Sequence, residues 1–206
     1  MAFHPSTKNF YLITTNSQLK TFFGDAKGSI LFDKFRINFE TLDKSNSFLM
    51  PDEISQRLGA SAIFVLSLFI TLEKQNVSFD DLQKISLNVY CDIMNLQIKS
   101  LAAPLEVSEN PWEDFLSLLQ KNNLEMYDND YYQLQYTYNE RSRFGFDFHQ
   151  CLVHKILLHN DHPELTPIIC KFHSIFSDNF QKWANFSQFE TIAKGYDRCT
   201  FRYFKN

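Results

Sequence analysis

The sequence is poor in glycine and proline, with five glycines and six prolines among 206 residues. Flexible linkers and disordered segments are rich in these residues, so their scarcity argues against both classes and predicts a largely ordered chain. No internal repeat or low-complexity segment interrupts it. Because 44% of the residues are hydrophobic, a chain of this length can bury a core of ordinary size.

Long basic runs are also absent, and the formal net charge is −4. A general nucleic-acid binder needs a basic surface, so DNA and RNA are not expected partners. Four cysteines without close pairing, and a start without a basic and apolar leader, predict reduced thiols and a cytoplasmic location. The apolar run over 60–72 is shorter than the ~20 residues that cross a bilayer. We interpret it as a buried core helix and expect no membrane partner.

The order of the patterns predicts an α+β fold in one domain, 1–206. Residues 1–50 give weak signals, 51–122 are expected to form a helical scaffold, and 130–204 are expected to form the half that carries the sheet and the site. Helix starts are indicated by Asp52, Ser78 and the pair Asn110-Pro111. A helical N-terminal half followed by a four-stranded antiparallel sheet, covered by helices, is therefore the expected architecture.

Alternating apolar and polar residues predict the strands of this sheet. Residues 132–138 and 144–148 alternate with period two and are joined by a polar turn at 139–142, which predicts an antiparallel hairpin. A second hairpin is predicted from strands around 186–193 and 198–204, with its turn at 194–197. On the last strand, Cys199 would share a face with Phe201 and lie opposite Arg202.

Three of the four cysteines lie in the last quarter of the chain, at Cys151, Cys170 and Cys199. The aromatic strand runs directly into Cys151, at a strand-to-helix junction where the partial positive charge of a helix start favours a thiolate. The alternative interpretation is a buried, inert cysteine. Cys170 falls on the edge of the buried face of a helix that follows Pro163, whereas Cys91 is interpreted as part of the helical scaffold.

Two motifs resemble a known family. The pattern PEL-x4-C on a helix and the ending TIAKGYDRCTFRY are similar to the C-terminal signature of the L-2-amino-thiazoline-4-carboxylic acid hydrolase family, over roughly residues 55–204. The early cysteine of the family matches Cys151, and the positions that match its ending are Thr191, Ala193, Gly195, Cys199, Phe201 and Tyr203.

The chain departs from this family at three places. The family usually reads C-x-x-D on the second helix, where this chain has Cys170 followed by His173 at the third position. Tyr196 replaces the usual second glycine of the ending, and the glycine before the PEL helix is absent. The changed acid–base group points either to a different substrate or to a lost activity.

The resemblance implies a cysteine-dependent hydrolase of amino acid metabolism that acts on carbon–nitrogen bonds other than peptide bonds. Its small-molecule substrate would be a cyclic amidine or a related ring with C–N or C–S bonds, opened without a cofactor or a metal. We expect three thiols around one pocket, with Cys151 as the nucleophile. The residues assigned to this chemistry are Cys151, Cys170, His154, His173 and Glu164 for catalysis and Arg198, Arg202 and Cys199 for substrate binding.

Two alternatives stay open. Cys151 with His154, and Cys170 with His173, form C-x-x-H pairs that could supply four ligands to zinc, although their separation fits no zinc-finger pattern. The ending G-x-x-x-C-x-F is also similar to 4-vinyl reductase-type domains, which favours a non-catalytic small-molecule binder. Homo-oligomerisation is compatible with each of these functions.

Overall fold

The computed structural model describes residues 7–206, except for the side chains of Thr7 and Leu96. The predicted order, with helices first and a four-stranded antiparallel sheet later, is confirmed. The helices are α1 (Thr7–Phe23), α2 (Asp25–Ser45), α3 (Glu53–Leu72), α4 (Phe79–Glu106), α5 (Pro111–Met126), α6 (Leu152–His159) and α7 (Thr166–Asp178). The strands are β1 (Leu134–Glu140), β2 (Arg143–Phe148), β3 (Ala184–Ser187) and β4 (Cys199–Lys205).

The chain divides into two compact units. The sheet unit comprises Leu96–Leu152 and Cys170–Asn206 and contains all four of these strands. The helical unit comprises residues 7–95 and Val153–Ile169. The organisation of 1–206 as one domain stays a prediction.

The helices begin where the sequence indicates. The Asp52 carboxylate accepts a hydrogen bond from Ser55 N at 2.8 Å, and Ser55 Oγ accepts one from Asp52 N at 3.1 Å, which caps α3 reciprocally. Ser78 Oγ accepts from Asp81 N at the start of α4, and Asn110 precedes Pro111 at the start of α5. The side chains of Asp52 and Ser78 thus satisfy backbone N–H groups that have no partner within the helix, whereas the Asn110 side chain makes no capping hydrogen bond.

Helix α3 supplies the core of the helical unit. The segment Glu53–Gln75 is long and apolar enough to cross a membrane by length and composition, and 67% of its most apolar window is buried. Phe64, Val65 and Leu66 are fully buried on successive positions, so the helix is surrounded by packing partners on all sides there. The predicted buried core helix is confirmed.

The inner face of the sheet is built from aromatic side chains. The sheet order is β1-β2-β4-β3, and the predicted pairing of the first hairpin is confirmed by the register that joins Leu134 to Phe148. The ring of Phe146 stacks on that of Phe201, with 4.9 Å between centroids. Phe115 of α5 packs edge-on against Tyr203, so a helix covers this face.

The second hairpin differs from the prediction. Strand β3 ends at Ser187 rather than near residue 193, and a 3-10 turn (Ile192–Lys194) with Gly195 in the left-handed region precedes β4. The reason lies in Thr200, whose hydroxyl accepts hydrogen bonds from the backbone N–H groups of Phe189 and Glu190. A side chain thus satisfies donors that a longer strand would have paired with its neighbour.

Candidate functional site

Cys151 stands between the sheet and a helix. It lies three residues after the end of β2 and directly before Leu152, the first residue of α6, as predicted. The intervening segment is fixed, because Gln150 N donates to Tyr132 O at 3.0 Å and His149 N lies 3.4 Å from Gln133 O. The backbone therefore holds Cys151 at the helix start.

Cys199 and Cys170 belong to the same unit but differ in surroundings. Cys199 is buried on the inner face of the sheet, where it pairs in register with Phe148 and its sulfur accepts a hydrogen bond from Ile192 N at 3.3 Å. Burial raises the pKa of Cys199 above its usual value. The pKa of Cys170 is raised to about 12, mainly by burial and then by the charge of Cys199. The positive charge of Lys194 lowers this pKa, but by less. Both residues are protonated thiols at neutral pH.

A buried tyrosine, Tyr132, belongs to the same unit as the three thiols. Burial raises the pKa of Tyr132 well above its usual value, and the charges of Cys151, Tyr127, Cys199 and Cys170 raise it further. All three thiols are thus within electrostatic reach of one hydroxyl. The pKa of Tyr127 is raised to about 12, by burial and then by Cys151. None of the four cysteines forms a disulfide, and Cys91 lies exposed on α4 in the helical unit.

His173 shares the sheet unit with these thiols. Its half-buried ring meets the ring of Phe201 edge-on, with 5.1 Å between centroids. Its nitrogen atoms lie deep enough for burial to lower the pKa to about 4. The imidazole is therefore neutral at neutral pH and can accept a proton.

His154 and Glu164 belong to the helical unit. His154 Nδ1 lies 3.0 Å from the hydroxyl of Thr166, and burial lowers the pKa of this histidine. The exposed Glu164, in a 3-10 turn, lies 2.9 Å from His162 Nδ1. Of the three predicted proton carriers, the structure groups only His173 with the thiols in one unit.

The two predicted carboxylate-binding arginines are engaged in an ion-pair cluster. Arg202 Nη1 lies 2.7 Å from Asp147 Oδ1, but it donates its hydrogen bonds to the carbonyl oxygens of Phe146 and Phe201, so the contact with Asp147 is an ion pair without an aligned hydrogen bond. Arg198 Nε donates to Glu190 Oε2 at 2.9 Å and lies 3.5 Å from Asp147 Oδ2. Since side chains alternate along β4, Arg202 lies on the face opposite Cys199.

The comparisons with known proteins assign a family. A family model described as L-2-amino-thiazoline-4-carboxylic acid hydrolase matches residues 56–203. The chain belongs to this family. No curated protein matches the chain. Solved structures of the Fe(II) unliganded H-NOX protein from K. algicida and of a point mutant of it share 13% and 12% identity with the chain, at a TM-score of 0.39 over 97% of each chain.

In this member of the L-2-amino-thiazoline-4-carboxylic acid hydrolase family, the thiol site is assembled from residues that the sequence pattern only partly marks. The cysteines were found from their strand and helix positions, whereas Tyr132 and Tyr127 were missed. Tyr132 lies two residues before β1 and extends its alternation, which placed it on the inner face but gave no sign that its hydroxyl would reach the thiols. Within residues 7–206, no three His, Cys, Asp or Glu side chains are grouped as metal ligands.

Proposed function

We propose that the chain is a cysteine-dependent hydrolase that opens a small cyclic amidine, or a related ring with C–N or C–S bonds. The observation that carries this proposal is that three thiols outside any disulfide belong to the sheet unit, with Cys151 at the start of α6. Membership of the L-2-amino-thiazoline-4-carboxylic acid hydrolase family supports hydrolysis as the reaction type. The small-molecule substrate, the cytoplasmic location and a homo-oligomeric state stay predictions.

Cys151 is the nucleophile in this proposal. Burial raises the pKa of both Cys170 and Cys199, so neither supplies much thiolate at neutral pH. Cys151 is less enclosed than Cys199 and lies at a helix N-terminus, whose unpaired N–H groups favour a negative charge. A thiolate at this position can attack, whereas its two neighbours serve as neutral groups that line the site.

The reaction consumes one water molecule. The Cys151 sulfur forms a bond to the central carbon of the amidine, and the electron pair of the C=N bond moves to nitrogen, which takes a proton. A nitrogen on the tetrahedral carbon then re-forms its C=N bond and gives up a proton, while the ring sulfur or ring nitrogen leaves with its bonding pair and takes a proton. Water adds to the same carbon, and as the C=O bond forms the Cys151 sulfur leaves with its bonding pair and takes a proton, which restores the thiol.

His173 is the proton acceptor that this proposal favours. It is neutral at neutral pH and belongs to the same unit as Cys151, so it can take the proton released when water attacks. His154 and Glu164 stay candidates for protonating the leaving atom. Arg198 stays the candidate for a substrate carboxylate because its guanidinium is partly exposed, while that of Arg202 is enclosed by Asp147 and two carbonyls.

The test is turnover of a panel of cyclic amidines that includes L-2-amino-thiazoline-4-carboxylic acid. We expect ring opening by the wild-type protein and by a Cys91→Ala control, because Cys91 lies exposed in the helical unit. We expect no turnover by Cys151→Ala. Undiminished turnover by Cys151→Ala would refute the assignment of the nucleophile.

A second function, non-catalytic binding of a small molecule, is favoured by one observation. His173 replaces the aspartate usual in the family, and its low pKa makes it a weak base. In a binder, Cys151→Ser would retain ligand affinity and the wild-type protein would turn over no member of the panel. In a thiol hydrolase the same substitution would abolish turnover while binding persists.

A further inference from the structure

The hydroxyl of Tyr132 is a further polar group in the sheet unit that holds Cys151, Cys170 and Cys199. The side chain is only 5% exposed. Among the described residues, the fully enclosed side-chain oxygen and nitrogen atoms that lack a partner do not include this hydroxyl, and no hydrogen bond to another side chain occupies it, so its oxygen keeps a small accessible surface. A hydroxyl that is nearly enclosed but still accessible is well suited to donate to a bound ligand.

The ring of Tyr132 lies beside the part of the sheet that carries Cys199. The Tyr132 ring packs edge-on against Phe148, at 5.1 Å between centroids, and Phe148 is the register partner of Cys199. Tyr127 packs against both rings, at 5.0 Å from Tyr132 and 4.9 Å from Phe148. These contacts fix the plane of the Tyr132 ring. After burial, negative charge on Cys151, Cys199 or Cys170 raises the pKa of Tyr132 further, as expected for groups in one neighbourhood.

The backbone around Tyr132 is also fixed. Asn129 organises the preceding turn, because its side chain accepts from Tyr131 N at 3.0 Å and its carbonyl oxygen accepts from Gln133 N at 2.9 Å. Gln133 adopts a left-handed conformation, with φ of 50°, which costs of order 1–3 kcal/mol for a residue other than glycine. The backbone N–H of Gln150, the residue before Cys151, donates a hydrogen bond to the carbonyl oxygen of Tyr132. A donor held this firmly needs little reorganisation during a reaction.

We propose that Tyr132 is a catalytic residue of the thiol site, whose hydroxyl donates a hydrogen bond to the substrate atom that gains negative charge when Cys151 adds to the central carbon. This role rests on the proposed function. Because burial raises the pKa of Tyr132 well above its usual value, the hydroxyl remains protonated and acts as a donor. In a cyclic amidine the acceptor is nitrogen, and in an ester it is the carbonyl oxygen.

Two reactions of the Cys151 thiol distinguish a catalytic role of Tyr132 from a role in packing alone. With p-nitrophenyl acetate, the Cys151 sulfur bonds to the carbonyl carbon, an oxyanion forms, and p-nitrophenolate leaves. With iodoacetamide, the sulfur displaces iodide and no oxyanion forms. We expect Tyr132→Phe to slow acylation of Cys151 by about 10²-fold, the usual effect of removing one oxyanion donor. Alkylation of Cys151 should stay within about threefold, because phenylalanine preserves the ring packing.

The matched control is Tyr203→Phe, which removes another buried hydroxyl of the same unit, one that lies 3.3 Å from Ser177 Oγ. It should acylate at the wild-type rate. Equal acylation by Tyr132→Phe and the wild-type protein, or an equal loss of acylation and alkylation, would overturn the role of Tyr132 alone. Wild-type acylation rates in Cys151→Ala would instead refute Cys151 as the nucleophile, and the role of Tyr132 with it.

A second variant covers failure of Tyr132→Phe to fold. Replacing Tyr132 with 3-fluorotyrosine keeps the ring and lowers the pKa of the hydroxyl. The fluorinated hydroxyl stays protonated at neutral pH but is the more acidic hydrogen-bond donor, so the ratio of the acylation rate to the alkylation rate should rise above that of the wild-type protein. An unchanged ratio would overturn the proposal.

Discussion

Asp147 is the centre of the ion-pair cluster on the outer face of the sheet, and Asp147→Asn is expected to destabilise the sheet unit. The carboxylate side chain is 5% exposed, and it lies 2.7 Å from Arg202 and 3.5 Å from Arg198. Asparagine has nearly the same shape, so the substitution removes the charge with little change in packing. Arg202, which is 13% exposed, is then left enclosed without a counter-charge.

The expected cost follows from the burial of each arginine. Breaking a buried pair by removing one partner costs about 3–5 kcal/mol. Arg202 keeps its two hydrogen bonds to backbone carbonyls, so we expect Asp147→Asn to lower the free energy of unfolding by about 3 kcal/mol, at the lower end of that range. Arg198 is 39% exposed, and an exposed pair contributes at most about 1 kcal/mol. Arg198→Ala should therefore cost about 1 kcal/mol or less.

Urea unfolding of the single and double variants measures both couplings. The coupling between Asp147 and Arg202 should exceed that between Asp147 and Arg198 by about 1 kcal/mol or more. High salt should reduce only the coupling to Arg198, because exposed pairs are screened more strongly. Equal couplings, or a cost of Asp147→Asn below about 1 kcal/mol, would refute the view that Asp147 and Arg202 form a buried pair.

The remaining predictions concern packing and titration. Gly28→Ala should cost about 1–3 kcal/mol in thermal unfolding, with Lys34→Ala neutral, because a Cβ at residue 28 would lie 2.5 Å from the Cα of Lys20. The free energy of unfolding should fall as the pH drops from about 6.5 to about 4, because His173 binds its proton more weakly in the folded than in the unfolded protein. This pH-dependent part, at most about 3 kcal/mol, should be missing in His173→Gln. Mass mapping should find Cys170 alkylated slowly at pH 8, where a thiol with a pKa of about 12 is only about 0.01% ionised.

The first hairpin was predictable because its signals are local. Phe144, Phe146 and Phe148 alternate along β2, and this period predicts that the segment pairs with the strand before it. The bulge between Tyr136 and Tyr138, and the continuation of β1 to Glu140 inside the predicted turn, do not follow from the alternation. The end of β3 was not predictable, because it depends on a residue of β4. The hydroxyl of Thr200 accepts hydrogen bonds from the backbone N–H groups of Phe189 and Glu190. When one side chain takes the place of a backbone hydrogen-bond partner, it produces no repeating pattern of apolar residues, so the sequence does not show where the strand ends.

The site was predictable to a similar extent. The change from a strand period of two to a helical period predicted that Cys151 lies at a helix start. Because side chains alternate along a strand, the sequence also predicted that Arg202 and Cys199 lie on opposite faces of β4. The partner of Arg202 required the β2–β4 register, which brings Asp147 beside Thr200. Tyr132 required the Asn129 turn and the left-handed Gln133, neither of which follows from hydrophobic periodicity.

The exchange of aspartate for His173 changes the electrostatics expected of the thiol site. A carboxylate one helical turn after Cys170 would raise the pKa of nearby thiols, because it opposes a second negative charge. Neutral His173 adds no such charge, and the thiols are then governed by burial and by the helix start at Cys151. The absence of this carboxylate also removes an acceptor that would repel negative charge developing on a substrate, so a neutral donor can act there without competition. Tyr132, which is buried in the same unit and protonated at neutral pH, is the donor that we propose for this role.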